Sequence, residues 1–227
     1  MPLRKVKKGG MMFSFLDYTF NSIKGRCEYG CPYCYLRRWP LKKPRLDEKE
    51  LKTDLGQDNF IFCGSSIDAW GDSIPSDWIS KMLRHCSAYD NKYLFLSKNP
   101  NRYLEFLREK DNQGGLIPKD STFGVTMESN LDHFPGPPSM DSRLNGICKT
   151  REFGYDIFLS IEPLMAFDLN DFITMITDID PKLIAIGADS QRNGLPEPEP
   201  SEVALLIKML SQKYKVVVKP NLRRLLP

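Results

Sequence analysis

Short apolar runs recur along this chain, separated by segments of helical periodicity, and that alternation confines the fold more tightly than any other feature. The runs lie near Tyr18 to Ile23, Asn59 to Cys63, Tyr93 to Leu96, Thr122 to Thr126, Asp156 to Ile161, Leu183 to Ile186 and Lys215 to Val218. Each has strand length, and strands alternating with helices assemble as parallel βαβ units. Pro75-Ser76-Asp77 opens one predicted helix, which carries Trp78, Ile79, Met82, Leu83 and Cys86 at helical spacing. Asn101 caps a second, with Tyr103, Leu104, Phe106 and Leu107 apolar. Asp168 precedes Leu169, Phe172, Ile173 and Ile176, and Ser201 precedes Val203, Leu206, Ile207 and Leu210. These stripes read as core. Glycine and proline mark loops at 114–118, 133–140 and 193–200, and Pro135-Gly136-Pro137-Pro138 reads as an ordered excursion.

A chain of 227 residues, 41% apolar and 27% charged, can bury one substantial core, so a single domain over residues 1–227 is expected, with a basic N-terminal segment and a short C-terminal tail. No apolar stretch approaches the roughly 18 to 20 residues that cross a bilayer, and the opening residues lack the apolar segment of a secretion signal. The expectation is a soluble cytoplasmic protein without a membrane partner; oligomeric state is left open. Charge is uneven. Residues 1–45 hold eleven Lys or Arg against Asp17 and Glu28, a net +9, which leaves −6 for the rest of a chain whose total is +3. Arg37, Arg38, Lys42, Lys43 and Arg45 are interleaved with Trp39, Pro40 and Pro44, while Lys219, Arg223 and Arg224 lie near the other terminus. Such a strip suits nucleic acid or a phosphorylated substrate, and equally a solvated surface loop.

Cys27, Cys31 and Cys34 sit in the run Gly25-Arg26-Cys27-Glu28-Tyr29-Gly30-Cys31-Pro32-Tyr33-Cys34-Tyr35. A cubane [4Fe-4S] cluster normally takes one cysteine per iron, so three leave one iron open to a ligand that is not protein. Structural zinc needs a fourth ligand, and the chain has no second Cys-x-x-Cys pair, only His85, His133, Cys63, Cys86 and Cys148 at positions away from the cluster. Three clustered cysteines also leave one without a disulfide partner, and thiols kept for a cluster fit a reducing compartment.

The spacing Cys27-x-x-x-Cys31-x-Tyr33-Cys34 resembles the signature of the radical S-adenosylmethionine (SAM) enzymes. The resemblance implies a partial (β/α) barrel of about six to seven parallel strands. It implies a [4Fe-4S] cluster on Cys27, Cys31 and Cys34, with SAM chelating the open iron and Tyr33 lying along the adenine. It also implies the chemistry: reductive cleavage of SAM to a 5′-deoxyadenosyl radical, which abstracts hydrogen from a substrate. A reductase or flavodoxin-like protein would supply the electron.

In parallel barrels the loops after the strands converge at the carboxyl ends, where function resides. Polar residues gather at those ends: Gly64-Ser65-Ser66-Ile67-Asp68, Ser97-Lys98-Asn99-Pro100, Gly124-Val125-Thr126-Met127-Glu128, Ser160-Ile161-Glu162-Pro163-Leu164, Gly187-Ala188-Asp189 and Val218-Lys219. The ordered set is similar to that of short radical SAM proteins in a phage-protein family of unassigned chemistry that neighbours spore photoproduct lyase. The similarity implies SAM contacts from Gly64, Ser66, Ser97, Lys98, Thr126 and Glu128. Glu162 and Lys219, set against apolar runs, either pair structurally or face the ligand cavity; Lys98 and Glu128 have the same alternative of pairing with each other. Arg143 and Asp189 are candidates for substrate recognition. Cys63, at a strand end, is a candidate hydrogen-atom donor to a product radical, against the plain reading of a small buried hydrophobe. Where the family has Gly-Gly-Glu, Gly187-Ala188-Asp189 shortens the carboxylate and loses a glycine. The alternatives in function are a radical SAM enzyme acting on a peptide or small metabolite, and a non-catalytic iron-sulfur or zinc protein that binds nucleic acid.

Overall fold

The structure, a computed structural model, describes residues 3–7, 9, 10, 12–108 and 115–227. The Gly114 end of the loop expected at 114–118 lies outside the described residues. An eight-stranded sheet organises the chain: β1 (Arg4–Lys5), β2 (Tyr18–Phe20), β5 (Phe60–Cys63), β6 (Lys92–Ser97), β7 (Ser121–Thr126), β8 (Asp156–Ile161), β9 (Leu183–Ile186) and β10 (Lys215–Val218), in that spatial order. From β2 to β10 every pairing is parallel, which gives the seven parallel strands, and β1 joins β2 antiparallel. The order ends at β1 and β10, so the barrel stays open on that side.

The first predicted strand is shorter than its apolar run. After Phe20 the chain leaves the sheet, and β3 (Ile23–Lys24) pairs antiparallel with β4 (Arg45–Leu46) instead. Helices α1 (Ser76–Ser87), α2 (Tyr103–Arg108), α4 (Leu169–Ile179) and α5 (Pro200–Ser211) follow the predicted stripes. Their starts differ in detail: Asn101 lies in a 3-10 turn before α2 and donates to Ser142 O at 2.9 Å, and α5 begins at Pro200 after Glu199. A further helix, α3 (Met140–Arg151), has no sequence stripe because Arg143, Gly146 and Thr150 occupy its buried face. No helix among the described residues is long and apolar enough to cross a membrane.

Side chains alternate across the strands with period two, and this parity sorts the core into two layers. Ile61, Tyr93, Phe95, Phe123, Ile157, Leu159, Ile184 and Ile186 face outward to the helices. Phe62, Leu94, Phe158 and Ala185 face inward, and Phe13 and Leu16 enter the barrel to pack on them. Phe13 meets Phe158 edge-on at 4.9 Å between ring centroids and stacks on Phe15 at 5.5 Å, so the segment before β2 plugs the barrel floor. Above that floor the same inward parity continues into polar residues: Lys98 after β6, Thr126 on β7, Ser160 and Glu162 on and after β8, and Lys219 after β10. All five line one cavity.

Candidate active site

The cavity measures about 530 Å³, within the range of small-molecule sites, and its walls are mainly apolar with a few polar groups. Cys27, Cys31 and Cys34 stand on one wall, in a loop reversed by a bond from Cys34 N to Cys31 O of 3.0 Å. Three contacts fix this loop on the barrel rim. Glu28 accepts Ser73 N at 3.1 Å and 3.2 Å, the carbonyl of Tyr29 packs so tightly on Gly136 (φ +117°) that no Cβ could fit there, and the Tyr33 hydroxyl donates to Glu128. Gly136 belongs to the Pro-Gly-Pro-Pro excursion, and Phe134 from the same loop meets the Tyr33 ring edge-on at 5.5 Å. The excursion is ordered because it clamps the cysteine loop.

Glu128 is the hub of the rim. It is fully buried; Tyr33 and Lys98 both donate to Oε1, and Arg143 Nη1 donates to Oε2 at 2.7 Å. Burial alone pushes its carboxyl up, but the charges of Lys98 and Arg143 and the bonds from Lys98 and Tyr33 outweigh it and hold the carboxyl down at about 2. Burial and then the Glu128 charge push the Tyr33 hydroxyl well up, so it donates as a neutral phenol. Lys98 Nζ also lies 5.3 Å from the Tyr33 ring centroid.

On the opposite wall, Lys219 pairs with Glu162 and rests over the Phe13 ring at 4.9 Å, and Asn221 Nδ2 donates to Glu162 Oε1 at 3.1 Å. Both alternatives read for this pair are realised, since the two side chains bond each other and face the cavity. Asp189 is buried and lines the cavity, but its carboxylate is occupied by Gln191 N at 3.0 Å, Asn193 Nδ2 at 2.8 Å and Asn193 N.

Several expected site residues lie elsewhere. Cys63 is a correction: strand parity turns it outward, where it is fully buried with its Sγ 3.7 Å from Cys86 Sγ, beneath α1. It does not line the cavity. Arg143 is a second correction, since it does not line the cavity and spends its guanidinium on Glu128, Thr126 O at 2.9 Å and Pro138 O at 2.8 Å. Ser97 also faces outward; it donates to Asp68 Oδ1 at 2.7 Å. Gly64 (φ +87°) makes the turn after β5 that only glycine adopts freely, and Ser66 bonds Asn21 Oδ1 through both its N and its Oγ at 3.0 Å. Neither lines the cavity, whereas their neighbour Ser65 does, and Glu128 sits behind the wall.

Asp68, which the sequence placed at a strand end without a role of its own, and Tyr29, which it did not single out, are both cavity residues. Asp68 accepts Ser97 Oγ, Lys98 N at 2.8 Å and Trp70 N at 3.1 Å, which leaves one of a carboxylate's roughly four acceptor positions for the cavity. Burial raises its carboxyl. The Gly64-Ser65-x-x-Asp68 run carried the signal. Tyr29 is 6% exposed and lines the cavity, yet its buried hydroxyl has no hydrogen-bond partner among the described residues. Such a group is costly unless a ligand satisfies it. Burial, then the charge of Asp68, pushes the Cys27 thiol up to about 12, and burial also raises Cys31 against the pull of Lys98. Among the described residues no three His, Cys, Asp or Glu side chains converge on a single metal-ion point. Ligands to three separate irons of a cubane bond different corners and have no need to converge.

Neither the family models nor the curated proteins give a match to this chain. Solved structures do. A cysteine-to-serine mutant of spore photoproduct lyase superposes with a TM-score of 0.64 at 14% identity, covering 96% of this chain and 80% of that one. A cysteine-to-alanine mutant of the lyase with dinucleoside spore photoproduct gives 0.62 at 15% identity, covering 93% of this chain and 66% of that one. A double mutant with bound AdoMet and dinucleoside spore photoproduct gives 0.57 at 14%. The chain thus spans between about three fifths and four fifths of the lyase chains it matches. The open, mostly parallel barrel of this protein is the fold of spore photoproduct lyase.

Proposed function

We propose that the protein is a radical SAM enzyme. The observation that carries this reading is the placement of Cys27, Cys31 and Cys34 together on the wall of one cavity, at the carboxyl ends of the parallel strands. A [4Fe-4S] cluster with SAM on its open iron supplies one-electron cleavage of the SAM carbon–sulfur bond and abstraction of hydrogen from a substrate. The residues present fit that pair of groups. Three clustered thiols, with no further cysteine or histidine lining the cavity among the described residues, and a mainly apolar wall suit a cluster with one free corner. The vacant acceptor position of Asp68 suits the SAM ammonium, and the unpartnered Tyr29 hydroxyl suits a polar ligand atom.

The remaining residues orient and shield. Tyr33, held by Glu128, fixes the cysteine loop, and Lys98 brings a cation to the cavity next to it. Lys219 and Glu162 present a charged pair to whatever occupies the far side, over a floor formed by the Phe13 ring. An external reductase or flavodoxin-like protein provides the electron, and a reducing cytoplasm suits the six free cysteines.

Anaerobic reconstitution with iron and sulfide, reduction, and addition of SAM tests the proposal. About four irons per chain and formation of 5′-deoxyadenosine are expected, both lost when Cys31 is replaced by Ala. A single zinc per chain, or an iron-sulfur protein that leaves SAM intact, contradicts it and favours the non-catalytic reading.

A further inference from the structure

The chain between Glu28 and Asp47 contains five Lys or Arg and no Asp or Glu. A 3-10 turn, Tyr35–Arg38, starts directly after Cys34, and its Tyr35 and Leu36 form part of the cavity wall. Tyr35 is 50% exposed and Trp39 63%, the two largest exposures among the bulky apolar side chains of the described residues, and they sit four residues apart. Arg37, Arg38, Lys42, Lys43 and Arg45, on the same stretch of chain, are all exposed, and among the described residues none makes an ion pair. Of the carboxylates that follow the arm, Asp47 and Glu50 are taken by Lys24 at 2.8 Å and 2.7 Å, and Glu48 is exposed.

The arm is braced at its carboxyl end. Arg26 N donates to Lys42 O at 2.8 Å, Gly25 packs on Lys43 and Pro44, and the β3–β4 ladder closes its base. Exposed aromatic faces beside unneutralised cations on a braced arm at a cavity mouth form a platform of defined chemistry. The cations match phosphates along a strand, and the rings match bases with free faces. Bases in a duplex are already stacked, so the rings can serve only a strand whose bases are unpaired.

We propose that the arm from Tyr35 to Arg45 binds a single-stranded polynucleotide and holds it at the cavity mouth as the substrate of the enzyme. The inference rests on the radical SAM reading for the word substrate, while the binding itself does not.

Fluorescence anisotropy on the anaerobically reconstituted full chain tests it, with labelled DNA and RNA oligonucleotides, each as a single strand and as a duplex. Single strands are expected to bind more tightly than duplexes, and up to about a hundredfold more weakly as salt rises from about 50 to about 200 mM, since five phosphate contacts give a slope near −3.5. Trp39→Ala is expected to weaken single-strand binding about tenfold or more with little change in salt slope, through lost stacking. Replacing Arg38, Lys42 and Lys43 together with Gln is expected to reduce the slope by about two. The DNA and RNA arms identify the sugar. Equal affinity for duplex, a slope unmoved by the triple variant, or equally effective competition by polyglutamate overturns the proposal, the last in favour of an acidic protein partner. SAM binding is measured in parallel on the wild-type chain: SAM binding without strand binding removes this inference alone, and strand binding without SAM binding removes the enzyme reading alone.

Discussion

Two lysine–carboxylate pairs sit on the rim of this barrel, and they do different work. Lys98–Glu128 has its carboxylate fully buried behind the cavity wall, where Tyr33 and Arg143 complete its hydrogen bonding. Lys219–Glu162 opens on the cavity, with the Glu162 side chain 20% exposed and only Asn221 in support. In sequence both read as polar strand ends. The number of donors around the carboxylate separates a latch that holds the cysteine loop from a pair left available to a ligand.

Removing each carboxylate is the sharpest way to break this contrast. Glu128→Ala leaves Arg143 and Lys98 without their counter-charge in a buried position, so a loss of about 3–5 kcal/mol is expected in urea unfolding of the apo-protein. A loss below about 1 kcal/mol would show that Glu128 is no latch. Acid titration comes next in size. A carboxyl held near 2 rather than near 4.5 contributes roughly 3 kcal/mol of stability at neutral pH. Because the folded value is depressed, that stability is complete above the unfolded carboxyl's pKa and disappears as pH falls from about 4.5 to about 2. Wild type is therefore expected to lose that increment over this window relative to Glu128→Gln, measured by unfolding at successive pH values; parallel curves would contradict the assignment. Glu162→Gln is the mildest change to the fold, about 1 kcal/mol or less, since a hydrogen-bonding group remains. Its expected effect falls on function, at least tenfold in SAM-dependent turnover once the cluster is loaded. A large stability loss with unaltered turnover would place both pairs in the same structural class.

The sequence made the parallel sheet and its strand ends legible because both depend on local periodicity. Parity carried further information: Phe60 and Phe62 point inward, so Cys63 between Phe62 and Gly64 had to point out, and the same count turns Ser97 away from the cavity while keeping Lys98, Thr126, Ser160, Glu162 and Lys219 on it. What local pattern does not hold is long-range packing. Phe13 plugs the barrel from a segment with no strand signal. Helix α3 lacks an apolar stripe because Arg143 reaches Glu128 from its buried face, and because Gly146 lies against Asn101 where a Cβ would come within 2.6 Å of the Asn101 N. The unpartnered hydroxyl of Tyr29 has no sequence signature at all, because only the folded loop places it at the cavity.

Electron paramagnetic resonance of the reconstituted, reduced protein, recorded with and without SAM, tests the central claim most directly. The account predicts a [4Fe-4S]⁺ signal whose g-values shift when SAM is added, because one iron is free to bind it. A spectrum unchanged by SAM, with all four irons already ligated by side chains, would contradict it.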